Sequence, residues 1–307
     1  MRVLALLAAT LIWSFSFGII KQVLVGVPGE WVATLRLALA ALVFLPFLRR
    51  APLAGARLRL LAIGGVQFGL MYLLYLQSYQ ALDAWEVALF TAFTPIWVLL
   101  LEALLPGRRR SIPRRAWVAL LGAVAGAWLI RADPAARPDF GEGFLWIQAA
   151  NLCFAFGQVA YRRTLQQGGG RVDAAAHAWM FLGGTAVAGL VMAVRLVGGV
   201  LTSPAQTADE LALSLEQLAA IAYLGVVAAG LGFFLWNAGA RRVSAGLLAA
   251  ANNLKVPAGM AVSVLLFGEA LAPDGELASW VRKLGGSALV LAAVVIASRD
   301  SRTPRST

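Results

Sequence analysis

Ten apolar stretches separated by short polar connections run the length of the chain, at 3–20, 31–48, 60–82, 87–105, 116–130, 143–161, 174–194, 218–239, 243–268 and 284–298. Most reach the roughly 17–25 residues that a helix needs to cross about 30 Å of hydrocarbon. The pattern predicts ten membrane-spanning helices. No connection is long enough for a soluble domain, since the longest hydrophilic one, 195–217, has about two dozen residues. The widest polar break without a strong apolar run, 131–142, carries Asp133-Pro134 and Arg137-Pro138 as turn signals and divides the chain into two sets of five.

The two sets share short features at corresponding places. Phe15-Ser16-Phe17-Gly18 in span one matches Phe154-Ala155-Phe156-Gly157 in span six, and Thr94-Pro95 in span four parallels Val256-Pro257 in span nine. An odd number of spans per half makes the second half enter the membrane from the opposite side, so a duplication here must be an inverted one. The expected organisation is a first five-helix repeat at 1–136, a second at 137–298, and a tail at 299–307. The fold class is all-α integral membrane, with the two inverted repeats around a central cavity.

Charge sharpens this topology. Eighteen of the 26 basic residues fall on one set of connections and at the termini: Arg2; Arg49, Arg50, Arg57 and Arg59; Arg108, Arg109, Arg110, Arg114 and Arg115; Arg162, Arg163 and Arg171; Arg241 and Arg242; Arg299, Arg302 and Arg305. The other set has six, Lys21, Arg131, Arg137, Arg195, Arg282 and Lys283, and twelve of the 15 acidic residues. Short loops rich in Lys and Arg stay in the cytoplasm, so both termini are expected inside and the crossings must be even in number. The first span reads as retained rather than as a cleaved signal, its apolar run being long and no small-x-small site following it.

Composition excludes several classes. A 307-residue chain with 60% apolar and 13% charged residues and a mean hydropathy of +0.78 is too apolar for a water-soluble domain. The net charge of +11 sits in short loops, where topology and anionic headgroups explain it, and nucleic-acid binding is not expected. One cysteine, Cys153, and one histidine, His177, cannot build a zinc site of the usual kind or a disulfide. No HExxH, GxSxG or GxxxxGK[ST] occurs, so no enzyme and no cofactor are expected.

The ordered set Trp13-Ser14-Phe15, Arg36-Leu37, Ala84 through Thr94-Pro95, Val243-Ser244-Ala245 and Phe267-Gly268-Glu269 resembles the ten-helix EamA type of the drug/metabolite transporter superfamily, of which the YddG-type amino-acid exporters are one branch. The resemblance covers the chain to about Ser298. It implies a bacterial inner-membrane carrier of small organic solutes, with spans one, three, four, six, eight and nine lining the cavity. Two departures bear on the substrate: span four ends in Pro106-Gly107-Arg108 where members often carry Gly-Glu, and Asn252-Asn253-Leu254-Lys255 precedes the proline of span nine.

Two basic residues belong to no connection, Arg36 and Lys255. A lysine some twelve residues from either end of a span cannot easily reach an interface, and charge at the bilayer centre costs at least ~2.5–3.5 kcal/mol on insertion scales. Lys255 therefore reads either as a contact for an anionic substrate group or a group alternating between a proton and substrate, or as a structural pair with a carboxylate or with carbonyls freed by Pro257. Arg36, nearer an end, reads as a snorkelling side chain or as an anion contact. Glu102 reads first as an ion pair with Arg108 to Arg110 and second as a proton-coupling carboxylate.

Asn252, Asn253, Asn151, Gln158 and Gln67 offer hydrogen bonds along a strip on spans three, six and nine. Trp31, Trp85, Trp117, Trp146, Trp179 and Trp280 suit an interfacial belt. Trp13 and Trp97 lie near span centres and, with Phe17, Tyr72, Tyr75 and Tyr79, serve either core packing or a pocket for a hydrophobic solute. Pro95 and Pro257 are candidate hinges. Gly122 and Gly126 form a small-residue face expected to pack within a monomer.

The expected function is secondary transport by alternating access of an amino acid or related metabolite, outward, across the inner membrane. Broad efflux of drugs or lipophilic cations is the alternative, followed by a membrane enzyme or a non-transporting scaffold.

Overall fold

The computed structural model describes residues 2–48, 56–104, 114–132, 139–167, 174–203, 212–240, 245–270 and 275–298, and of these all side chains but those of 2–3, 115–116, 165–167, 237–240, 245–253 and 294. The expected repeat boundary at 136/137, the Arg108 to Arg110 cluster, the tail at 299–307 and the side chains of Asn252 and Asn253 lie outside this description. The described residues contain helices and no strand. Inside hydrocarbon every backbone polar group needs a partner within the chain, and a helix provides it locally.

The helices are α1 (Arg2–Gln22), α2 (Gly29–Phe44, continued by a 3-10 turn at Leu45–Phe47), α3 (Arg57–Ser78), α4 (Ala84–Leu104), α5 (Arg114–Arg131), α6 (Phe140–Gln167), α7 (Ala174–Thr202), α8 (Leu215–Ala222, Tyr223–Leu231 and Gly232–Ala240 in succession), α9 (Ala245–Phe267) and α10 (Leu277–Ser298). Seven are long and apolar enough to cross a membrane by length and composition. Shorter apolar segments occupy α5 and α9. With 22 residues, α10 spans about 33 Å, also sufficient.

Local signals set the ends. Pro28 precedes the first residue of α2, where its missing N–H costs nothing. The start of α8 is capped by Ser214, whose hydroxyl accepts from the Gln217 backbone at 3.2 Å while the Gln217 side chain accepts from the Ser214 backbone at 3.0 Å. Gly268, at φ 71°, closes α9 in the left-handed conformation that a residue without Cβ adopts freely.

The sequence placed Arg195, Arg282 and Lys283 in connections, and the structure corrects this. Arg195 lies in α7 and pairs with Glu30 at 2.7 Å. Arg282 and Lys283 lie in α10, and Lys283 is buried. Trp85 is also no belt residue: it is 1% exposed, packed at the start of α4 where the helix enters the bundle.

The main helix pairings keep their pattern when each helix is exchanged for the one five places away. α1 packs on α8 and α9, as α6 packs on α3 and α4; α2 meets α8, as α7 meets α3; and α2–α7, α5–α10 and α4–α9 each map onto themselves. The closest approaches use glycine. A Cβ on Gly64 of α3 would strike the Met180 carbonyl of α7, and one on Gly183 of α7 the Leu61 carbonyl of α3. The Gly122/Gly126 face packs inside the chain, with Gly126 against the Gly286 carbonyl of α10.

Two helices carry π-helical stretches at matching places, Gly65–Leu70 in α3 and Tyr223–Leu231 in α8. Such widened turns are rare and tend to occur at functional positions. Sequence periodicity did not reveal them, although both stretches are glycine-rich.

Candidate functional site

Three groups of polar residues lie inside the bundle, and a fourth lies at one end. The first joins α2 and α3. Arg36, seven residues or about 10 Å from the start of α2, is 3% exposed and does not snorkel. Its Nη2 donates to the Tyr72 hydroxyl at 3.1 Å, and its guanidinium lies 3.9 Å over the Tyr72 ring. Nε and Nη1 are buried and make no hydrogen bond. The aromatic run continues along α3, with Tyr72 edge-on to Tyr75 at 6.0 Å, Tyr75 edge-on to Tyr79 at 5.2 Å, and the Tyr75 and Tyr79 hydroxyls 2.7 Å apart.

The second group surrounds the middle of α1, α8 and α9. Trp13 Nε1 donates to the Ala228 carbonyl at 2.8 Å, inside the π-helical stretch of α8, and its ring packs 5.3 Å from both Phe233 and Trp236. The Tyr223 hydroxyl returns a bond to the Ile12 carbonyl at 2.8 Å. Lys255 lies ten residues into α9 and twelve from its end, and Ser14 Oγ reaches its carbonyl at 3.5 Å. Among the described residues its ammonium has no hydrogen-bond acceptor and no carboxylate, so the paired reading of this lysine finds no partner there. Phe17 is buried and packs against Gly259 of α9. Pro257 sits in a continuous stretch of α9.

The third group ties α4 to α6. A 3-10 turn at Thr91–Phe93 interrupts α4 just before Pro95, which cannot donate to the Thr91 carbonyl. Thr94 Oγ1 donates there instead, at 2.8 Å. Asn151 Nδ2 donates to the Phe90 carbonyl at 2.8 Å, and Trp97 Nε1 to Gln148 Oε1 at 3.0 Å. Asn151 and Trp97, expected as solute contacts, thus spend polar atoms on holding a broken helix. Gln158 is half-buried, and Gln67 is pressed against Gly157 with its Oε1 buried and unpaired.

At the end of the bundle opposite the start of α1 and the end of α10, polar residues knit α1, α4 and α9. Lys21 donates to the Tyr79 and Leu82 carbonyls at 2.7 Å each and lies 3.9 Å from Asp83. Glu269 accepts from the backbone of Ala84 and Trp85. Nearer the other end, Glu102 pairs at 2.7 Å with Arg162 of α6, a partner the sequence did not indicate; Arg108 to Arg110 lie outside the described residues.

Ten helices among the described residues, with two cations inside the bundle that have no carboxylate partner there, define a multi-pass membrane protein built around buried polar contacts. Similarity to known proteins specifies which kind. The model of the EamA-like transporter family matches residues 1–132. Over 306 residues the chain is 36% identical to a biotin transporter of Salmonella typhimurium, covering 98% of this chain and 94% of that protein. It is 36% identical to the biotin transporter of Escherichia coli K12 (97% and 95% covered) and to a probable biotin transporter of Pseudomonas aeruginosa (91% and 97%). A solved crystal structure 19% identical in sequence superposes with a TM-score of 0.58 over 94% of this chain and 95% of that one, which shows a shared fold. The chain belongs to the EamA-like transporter family: it is a transporter of small solutes, not an enzyme.

Proposed function

We propose that this chain carries a small organic carboxylate across the bacterial inner membrane by alternating access, and that biotin is the first solute to test. One observation carries the reading. Arg36 and Lys255, two cations inside the bundle, have no carboxylate partner among the described residues, in a chain whose full-length relatives are named biotin transporters. A cation at membrane depth needs a counter-charge or a polar cavity, and an organic anion is a counter-charge that comes and goes. Biotin is a monocarboxylic acid with a polar ureido ring.

In this reading the pairing symmetry reflects two inverted repeats, 1–136 and 137–298, in one monomer. The arginine-rich connections and both termini lie in the cytoplasm, and the Glu269 end faces outward. Lys255 attracts the anion at mid-depth, with Asn252, Asn253 and Gln158 adding hydrogen bonds and Trp13, Phe17 and Tyr75 apolar contact. Asn151 and Trp97 hold the wall between α4 and α6. The break before Pro95, the proline at 257 and the two π-helical stretches are the bending points.

Amino acids and related metabolites moved outward, the substrates and direction implied by the family resemblance, share the carboxylate and form the second reading. Two cations with no carboxylate partner among the described residues oppose the carriage of lipophilic cations.

Counterflow in proteoliposomes with labelled biotin, a panel of amino acids and a lipophilic cation tests this. Saturable exchange of an organic acid is expected, and Lys255→Met should slow it by about tenfold or more, the scale of one lost charge contact. Folded protein that exchanges no organic acid would overturn the reading. Equal exchange by Lys255→Met would remove the lysine from it.

A further inference from the structure

We infer that Arg36 and Tyr72 form the carboxylate-recognising end of the solute site, between α2 and α3, with Tyr75 and Tyr79 as its aromatic wall. This deepens the reading above and rests on it.

A guanidinium has five N–H donors and no acceptor, and a structural arginine in a protein interior meets that demand with carboxylates or carbonyls. Arg36 makes one hydrogen bond, to a neutral phenol, and one contact with a ring face, while Nε and Nη1 are buried with no acceptor. No Asp or Glu among the described residues pairs with it. Its backbone is pressed against Gly225 of α8, and the side chain crosses to α3. Burial of an under-satisfied cation is costly, so the position favours an occupant that brings oxygen acceptors with negative charge.

The surroundings specify a planar carboxylate. Guanidinium binds carboxylate through two parallel N–H···O bonds, a geometry that a lysine point charge does not impose. The Tyr72 hydroxyl accepts from Arg36, so its own O–H is free to donate to a carboxylate oxygen. Tyr72 is half-buried whereas Tyr75 and Tyr79 are buried, so the anion reaches the guanidinium past Tyr72. The staggered rings of Tyr72, Tyr75 and Tyr79 offer an apolar surface along α3 for the rest of an organic acid. Lys255 then supplies attraction for any anion, and Arg36 supplies the choice of carboxylate.

The test compares biotin with its neutral primary amide in counterflow; if the wild type carries an amino acid instead, that amino acid and its amide take their place. Arg36→Gln should raise KM for the acid by about tenfold or more and leave that of the amide within about threefold, since only the acid loses its paired contact. Arg36→Lys, which keeps the charge and loses the fork, should recover only part of the preference. Tyr72→Phe should weaken the acid selectively, by a few-fold. Folded Arg36 variants that carry the acid with unchanged KM, or that lose acid and amide alike, overturn the proposal and leave transport of organic acids standing. Should neither Arg36 variant fold, Tyr72→Phe decides: a selective loss of the acid supports the site, and an equal effect on both solutes or none overturns it. A wild-type protein that carries no organic acid overturns the substrate reading and the site with it.

Discussion

The carboxylate of Glu269, just past the end of α9, accepts a hydrogen bond from the backbone N–H of Ala84 at 2.9 Å and a second from Trp85 at 3.0 Å. These are first-turn donors of α4, which have no partner within their own helix. A carboxylate at that place also meets the positive end of the helix dipole. The second half of the chain thus closes a helix end of the first half, and the left-handed Gly268 makes the turn that brings Glu269 there.

This bond should respond to pH. Burial raises the Glu269 carboxyl above its ordinary range, Asp83 adds to the rise, and the two N–H bonds and Lys21 work against it. Where α9 and α4 separate, the carboxyl regains water and its ordinary value. Between the two values the joined arrangement binds more protons, so acidification through that window favours it and raising the pH weakens it. Hydrogen exchange at Ala84 and Trp85, corrected for the intrinsic pH dependence of exchange, should slow on acidification. In Glu269→Gln this dependence should vanish; its persistence would assign the effect to another group.

The α3–α7 contact should tolerate no side chain at its closest points. Gly64→Ala and Gly183→Ala each drive a methyl into a backbone carbonyl, and overpacking of this kind typically costs ~1–3 kcal/mol. Gly189→Ala on the same α7 is the control, since its added methyl would meet only the Thr34 methyl at 3.7 Å. Thermal unfolding in detergent should show a clear loss for the first two and little change for the third.

Asn151→Leu should loosen the break in α4. It strips the Phe90 carbonyl of its donor at a buried position, a loss of about 1–3 kcal/mol. Protection of α4 against hydrogen exchange should drop around Thr91–Phe93 in particular. A uniform loss over the whole chain would argue against a local role.

Glu102→Gln should change little. The Glu102–Arg162 pair is open to its surroundings, with side chains 42% and 56% exposed, and pairs of this kind contribute ~0–1 kcal/mol. Unfolding temperature and the pH profile of exchange should both stay close to wild type. A displaced pH profile would give Glu102 a part in proton coupling.

Helix number was legible because each span carries its own signal, an apolar run of a length comparable to the hydrocarbon, whereas α7 and α10 run further than their apolar cores and take in Arg195, Arg282 and Lys283. Small-residue faces were legible for the same reason, and Gly122 and Gly126 do pack within the chain. Partners were harder to read. The carbonyl that Asn151 serves at the break of α4 and the cation on α6 that pairs with Glu102 were not legible, because each partner stands on another helix. Trp85 has the sequence position of a belt residue and the environment of a core one.

The sequence by itself determined that this chain lies in a membrane as ten helices and that Arg36 and Lys255 are cations no connection accounts for. Those properties follow from one-dimensional quantities, the apolar length of a segment and the cost of charge at depth. The tertiary structure alone decided that Arg36 is held by Tyr72 with donors to spare, that Glu269 caps α4, and that π-helical turns sit at matching places in α3 and α8. Each of these depends on where a side chain or carbonyl of a distant helix comes to rest, which helix packing sets and local pattern does not carry.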